Sequence, residues 1–197
     1  MKPYRGALLA FAVLLSILPL IGCGDAEDGG TDPSGSHIRV VSVSPATLEP
    51  DISETDCGNG TTDGLTNSYV TVTLKNESAP TTPTDKSTNS YVTMSSYRVD
   101  FVGLDKAVQI PSIDGGGQSV GLPADGTEKP MTVLVTDIAT LKYIRAHYPP
   151  GSGSLRLLGK ITLSGTDAFQ VTVSTEADVT LVVADYNRCP AAPPPED

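Results

Sequence analysis

Few residues in this 197-residue chain are suited to chemistry. Gly117-Gln118-Ser119-Val120-Gly121 has the Gly-x-Ser-x-Gly spacing of a nucleophile elbow, where a sharp strand-to-helix turn exposes a serine. Asp125 or Asp137, then His147, follow in the order acid, histidine. The flanks oppose that chemistry. Gly115 to Gly117 stand where a buried strand should be, and Gly121-Leu122-Pro123 stand where a helix should begin. The segment reads as a Gly-rich loop, with a serine hydrolase as an alternative. Asp56 to Gly64 places three oxygen ligands in a second Gly-rich stretch. Calcium takes about six to eight oxygens. Positions 58 and 60 are glycines and no Glu stands twelfth from Asp56, so a turn is the simpler reading and a calcium loop the alternative. His37 and His147 are the only histidines, and Cys-x-x-Cys-His is absent. No metal site and no cofactor are expected from such a set.

The three cysteines differ by context. Met1 to Gly6 carries Lys2 and Arg5 and no acid, and an apolar run from Ala7 to Gly22 follows. A basic start and a short apolar core are the layout of an export signal. The run contains Pro19 and is shorter than the roughly 20 residues of a spanning helix. It ends in Leu20-Ile21-Gly22-Cys23, which resembles the lipobox of bacterial lipoproteins. The resemblance implies cleavage after residue 22 and a diacylglyceryl group on the Cys23 thiol, with a third acyl chain often added to the new amino group. One chain binds a membrane only marginally, whereas two or three hold firmly. The position after the cysteine is Gly24 rather than Asp. In lipoproteins of the enterobacterial kind this implies the outer membrane. The remaining pair, Cys57 and Cys189, then suits a disulfide in an exported chain.

These elements need a domain to carry them. Residues 23–36 are small and polar after Cys23, so they read as a flexible tether. Residues 190–197 read as an extended, acidic, Pro-rich tail. Residues 37–189 are long enough for one domain with a core. Without residues 1–22 the chain has 11 Lys and Arg against 23 Asp and Glu, a formal charge of −12. Such acidity excludes nucleic acid as a partner and a basic patch as the membrane anchor.

Within the domain the apolar residues alternate as in strands. Such segments are expected at 38–44, 67–75, 91–102, 131–136, 154–163 and 169–184, with a short edge strand at 108–110. Tyr69, Tyr91 and Tyr97 are expected in the core or on a sheet face. Asp137 can cap one short helix, with Ile138, Leu141 and Ile144 or Arg145 on one face and Pro149-Pro150-Gly151 ending it. Thr62 to Thr71 nearly repeats as Thr84 to Thr93, a duplicated loop and strand start. The class is all-β: a single sandwich of about seven strands with one short helix. Val41-Ser42-Val43-Ser44-Pro45 and the closing turn at Gly165-Thr166-Asp167 resemble the immunoglobulin-like modules of bacterial surface lipoproteins. Strand parity places Cys57 and Cys189 at one pole of such a sandwich.

The expected function is that of a non-enzymatic envelope lipoprotein, a structural or protein-interaction module. It is held at the outer membrane by the lipid on Cys23 and engages another envelope protein. A small-ligand or calcium-binding module is the alternative.

Overall fold

The computed structural model describes residues 36–58, 61–77, 91–149, 153–186 and 189. The export signal, Cys23, nearly all of the tether and the Pro-rich tail lie outside the described residues, as do residues 84–90 of the second repeat copy. Ten strands and one helix form among the described residues. In chain order these are β1 (Ile38–Ser44), β2 (Thr47–Leu48), β3 (Asp56–Gly58), β4 (Thr61–Thr62), β5 (Ser68–Asn76), β6 (Val92–Gly103), β7 (Ile113–Leu122), β8 (Lys129–Thr136), α1 (Ile138–His147), β9 (Leu155–Thr166) and β10 (Thr172–Val183). One sheet has the order β1-β5-β8 and a second the order β2-β10-β9-β6-β7, while β3 and β4 make a separate two-stranded ribbon. All long neighbours are antiparallel; β2 pairs with β10 in parallel.

Period-two alternation explains the inner faces. Val70, Val72 and Leu74 of β5 are buried, as are Met131, Val133 and Val135 of β8. From the other sheet, Leu157, Ile161 and Leu163 of β9 and Val179, Leu181 and Val183 of β10 are buried too. These side chains form one apolar cluster between the two sheets. Each fully buried Leu or Val contributes about 1.5–3 kcal/mol over an exposed one.

Strand pairing gives the domain two ends. Ser36, which the sequence assigned to the tether, is 0% exposed, and Ile38 pairs with Asn76. This end also holds the start of β6, the end of β7 and the β9–β10 turn, and it is called the base. The opposite end, the crown, holds the β6–β7 connection, α1, the β3–β4 ribbon and Cys189. A strand of twelve residues, such as β9 or β10, spans about 40 Å between them.

Two expectations change. Val108 to Ile110 is not a strand. Its backbone is held by the helix end instead: the Gln109 amide donates to the Tyr148 hydroxyl at 2.7 Å. The fourth long strand is β7, formed by the glycine-rich segment that had read as a loop. Glycine is needed there because the Tyr97 ring lies across β7; a Cβ on Gly115 would sit 2.1 Å from Tyr97 Cζ. Tyr69 and Tyr91 take the sheet-face alternative, 50% and 52% exposed, while Val70 and Val92 behind them are buried. The two repeat copies thus begin strands in opposite sheets with the same phase. In α1, the Asp137 carboxylate accepts from the Thr140 amide at 2.7 Å, and the buried face is Thr140, Leu141 and Ile144, with Ile138 exposed.

Candidate functional site

The two cysteines assigned to a disulfide are bonded. Cys57 of β3 joins Cys189 with Cα atoms 5.2 Å apart and a sequence separation of 132. The bond closes a seam at the crown. The Asp51 carboxylate is buried there, and its Oδ1 accepts from the amides of Ser53 at 3.0 Å and Tyr186 at 3.2 Å. The Ser53 hydroxyl donates to Asp185. The Ile52 amide donates to the Ala184 carbonyl at 3.1 Å. The chain after β2 is therefore laced to the end of β10 before the disulfide locks it. Among the described residues, buried Asp51 Oδ2 has no hydrogen-bond partner.

The other candidates do not assemble. Ser119 lies inside β7, where Gly117, Gln118 and Ser119 bulge from the ladder opposite Ser95 and Gly117 adopts a φ of +97°. A nucleophile elbow needs a strand-to-helix turn, and this serine sits on an exposed edge strand. His147 Nδ1 lies 2.9 Å from the Tyr143 carbonyl oxygen, and its ring stacks on Tyr143 at 4.1 Å. No hydrogen bond joins Ser119 to His147. In the Asp56–Gly64 stretch, Asn59 and Gly60 lie outside the described residues, and Asp63 accepts from the Thr55 amide at 2.6 Å across the ribbon. Among the described residues no group of three or more His, Cys, Asp or Glu is placed to hold a metal.

Two surface features remain. The first is an edge. β2 covers β10 only at Thr180 and Leu181, and the Asp51–Ala184 bridge continues that contact toward the crown. Among the described residues, the outer side of Thr172 to Val179 has no strand paired to it. The Thr180 amide donates outward to the Ala46 carbonyl, so the amides of Ser174, Glu176 and Asp178, in the same phase, also point outward. Their side chains are exposed. The domain's opposite edge is closed differently. The Leu134 amide of β8 donates to the Tyr97 hydroxyl at 3.2 Å, and the Thr132 amide donates to Gln118 Oε1 at 3.3 Å.

The second feature is a cleft of about 400 Å³ at the crown, between Ser112, Ile113 and Asp114 on one side and Asp137, Thr140 and Tyr143 of α1 on the other. A charge network borders it. Arg98 Nε donates to both Asp100 oxygens, at 3.1 and 3.2 Å, and Nη2 donates to the Ser112 hydroxyl at 2.7 Å. That hydroxyl donates to Asp100 Oδ1 at 2.5 Å. The Ser112 hydroxyl first, and Arg98 after it, hold the Asp100 carboxyl below the usual carboxylate range. Alternation of Arg98 and Asp100 around buried Val99 was the available sequence signal for an outward-facing pair. The partner Ser112 directly precedes β7, whose glycines carry no strand signal, so alternation does not place it.

No protein-family model matches the chain, and neither a curated protein nor a solved structure matches it.

Proposed function

We propose that the chain is a lipid-anchored envelope lipoprotein whose domain is an immunoglobulin-like sandwich. It acts without catalysis, by pairing a strand of another envelope protein with the open edge of β10. The observation that carries this is the run Thr172 to Val179, whose outer side lacks a strand among the described residues. Strand addition to such an edge gives affinity through main-chain hydrogen bonds and specificity through alternate side chains. Exposed Glu176 and Asp178 oppose pairing of two copies of this acidic chain, because like charges facing across a ladder destabilise it. They favour a partner strand that carries Lys or Arg.

The anchor reading rests on the sequence: the basic start, the apolar run and Leu20-Ile21-Gly22-Cys23, with Gly24 pointing to the outer membrane. The Cys57–Cys189 bond suits an oxidising compartment. The sandwich reading is supported by connectivity. The first, second and fifth long strands share one sheet (β1, β5, β8), and the third, fourth, sixth and seventh share the other (β6, β7, β9, β10). Such mixed order is that of Greek-key sandwiches. The fourth strand lies beside β6, which differs from the constant-type arrangement.

The test is a photoreactive residue at Ser174 in the membrane-bound protein, with one at Glu128 as control. One protein captured from Ser174 alone, and lost on Glu176→Pro, supports the reading. Proline removes the outward amide of Glu176 and no bond to β9. Absence of any adduct from Ser174 overturns it. The crown cleft favours a second reading, a small-ligand binder. Amide shifts at Ser112 and Tyr143 on adding a compound at micromolar concentration would establish it.

A further inference from the structure

The base of the domain presents two exposed aromatic rings. Phe169 is 60% exposed at the tip of the β9–β10 turn. The turn is held firmly. Asp167 Oδ1 accepts from the Phe169 and Val171 amides, both at 2.8 Å, and the Asp167 amide donates to the Val171 carbonyl at 3.0 Å. Tyr91 is 52% exposed where β6 begins, with its hydroxyl end against Gly121. An exposed Phe on a well-ordered tip adds nothing to the core. It has a use if an apolar phase meets that tip.

The N-terminal chain arrives at this same end. Ser36 and Ile38 are buried at the base. Only 12 residues lie between Cys23 and Ser36, and the 13 steps span at most about 45 Å of fully extended chain. Charge is arranged to match. At the base Arg39, Lys75 and Lys129 stand against Glu77, Asp125, Glu128 and the buried Asp167 of the turn, an excess of one acid. The acidity lies toward the crown, where Asp51, Glu54, Asp56, Asp63 and Asp185 cluster on the seam and its ribbon. A lipid surface therefore meets a near-neutral base and repels the acidic crown.

We propose that the base seats on the lipid bilayer to which the chain is anchored, with Phe169 entering the acyl boundary and Tyr91 lying at headgroup level, so that the crown points away from the membrane. This rests on the lipid anchor at Cys23 proposed above. Phe supplies the apolar insertion, and Tyr has the amphipathic ring suited to an interface. The seated base leaves the β10 edge standing upright, its open half starting next to the membrane.

The chain contains no Trp, so Phe169→Trp creates a single reporter. The full-length variant is expressed, isolated from membranes and reconstituted in phosphatidylethanolamine–phosphatidylglycerol vesicles carrying brominated acyl chains. Leu104→Trp, at an exposed crown position, is the control. The expected result is quenching of the residue-169 indole by about twofold, as for a ring about 5–10 Å into the headgroup boundary, with the residue-104 indole unquenched. Equal quenching at both positions, or none at 169, overturns the seated base. Mass spectrometry of the isolated N-terminus reads the anchor separately. A diacylglyceryl group on Cys23 with no quenching at 169 removes the seated base alone. An unmodified Cys23 on a protein that stays off membranes removes both.

Discussion

The Leu134 amide donates to the Tyr97 hydroxyl at 3.2 Å, so a side chain of the five-stranded sheet closes the edge of the three-stranded one. Tyr97→Phe keeps the ring and removes the acceptor. The expected loss is about 1 kcal/mol, the net worth of one such hydrogen bond. Urea unfolding measures the loss, and faster amide exchange at Leu134 locates it. Unchanged exchange at Leu134 would mean that the hydroxyl does not guard that edge.

The same tyrosine leaves no room for a side chain at Gly115 without a shift of the ring. A Cβ there would meet Tyr97 Cζ at 2.1 Å. Gly115→Ala is expected to cost about 1–3 kcal/mol, as overpacking does. In a Tyr97→Ala background the same change should cost much less, because the ring that it meets is gone. Additive losses in this double-mutant cycle would refute the contact.

This pair also shows why part of the fold was readable from sequence and part was not. β5, β9 and β10 announce themselves because most of their alternate residues are Val, Leu or Ile with their own reason to be buried, Gly159, Gly165, Thr175 and Ala177 being exceptions. β7 carries Gly115, Gly116 and Gly117 and offers no such reason. Its strand form comes from β6, which supplies the ladder and the Tyr97 ring that covers it. The cysteine parity survived the misplaced fourth strand because β7 replaced 108–110 one for one, leaving β10 ending at the crown. Tyr69 and Tyr91 were readable only as core or sheet-face residues. β-propensity marks a tyrosine as a strand residue without saying which face it takes. The open half of β10 was hidden because edge status depends on how far β2 reaches, and β2 has only two residues.

Asp51 should behave as a structural clasp. Its Oδ1 serves two backbone amides, Ser53 and Tyr186, from a side chain only 5% exposed. Asp51→Ala strands both donors and is expected to cost about 2–3 kcal/mol. Thermal unfolding measures the cost. Amide exchange should rise at Ile52 and Tyr186 and stay unchanged at Val70 in the other sheet. A uniform rise across both sheets would show that the seam has no local role.

The disulfide ties the same seam over a separation of 132 residues. Chain entropy sets a ceiling of about 5 kcal/mol for closing a loop of that length. Cys57→Ser with Cys189→Ser is expected to lower stability by about 2–5 kcal/mol. Without the bond, proteolysis should begin between Ile52 and Asp63, the stretch that the disulfide ties to the end of the chain after β10. A double variant that unfolds at the same urea concentration as the oxidised protein would deny the bond any stabilising role.

Acid should loosen the network beside the cleft. The Ser112 hydroxyl, then Arg98, lower the Asp100 pKa in the folded state; in the unfolded chain it returns to about 3.9. A depressed carboxyl stabilises the fold fully above its unfolded value, and loses that contribution as pH falls through the folded value. Asp100→Asn should therefore be less stable than the wild type near neutrality, and the two should converge in acid. Ser112→Ala removes the larger cause, so a carboxyl-detected NMR titration should find Asp100 closer to its ordinary pKa in that variant. An unmoved Asp100 titration in Ser112→Ala would shift the cause to Arg98, and the 2.5 Å contact between Ser112 and Asp100 would then carry no electrostatic weight.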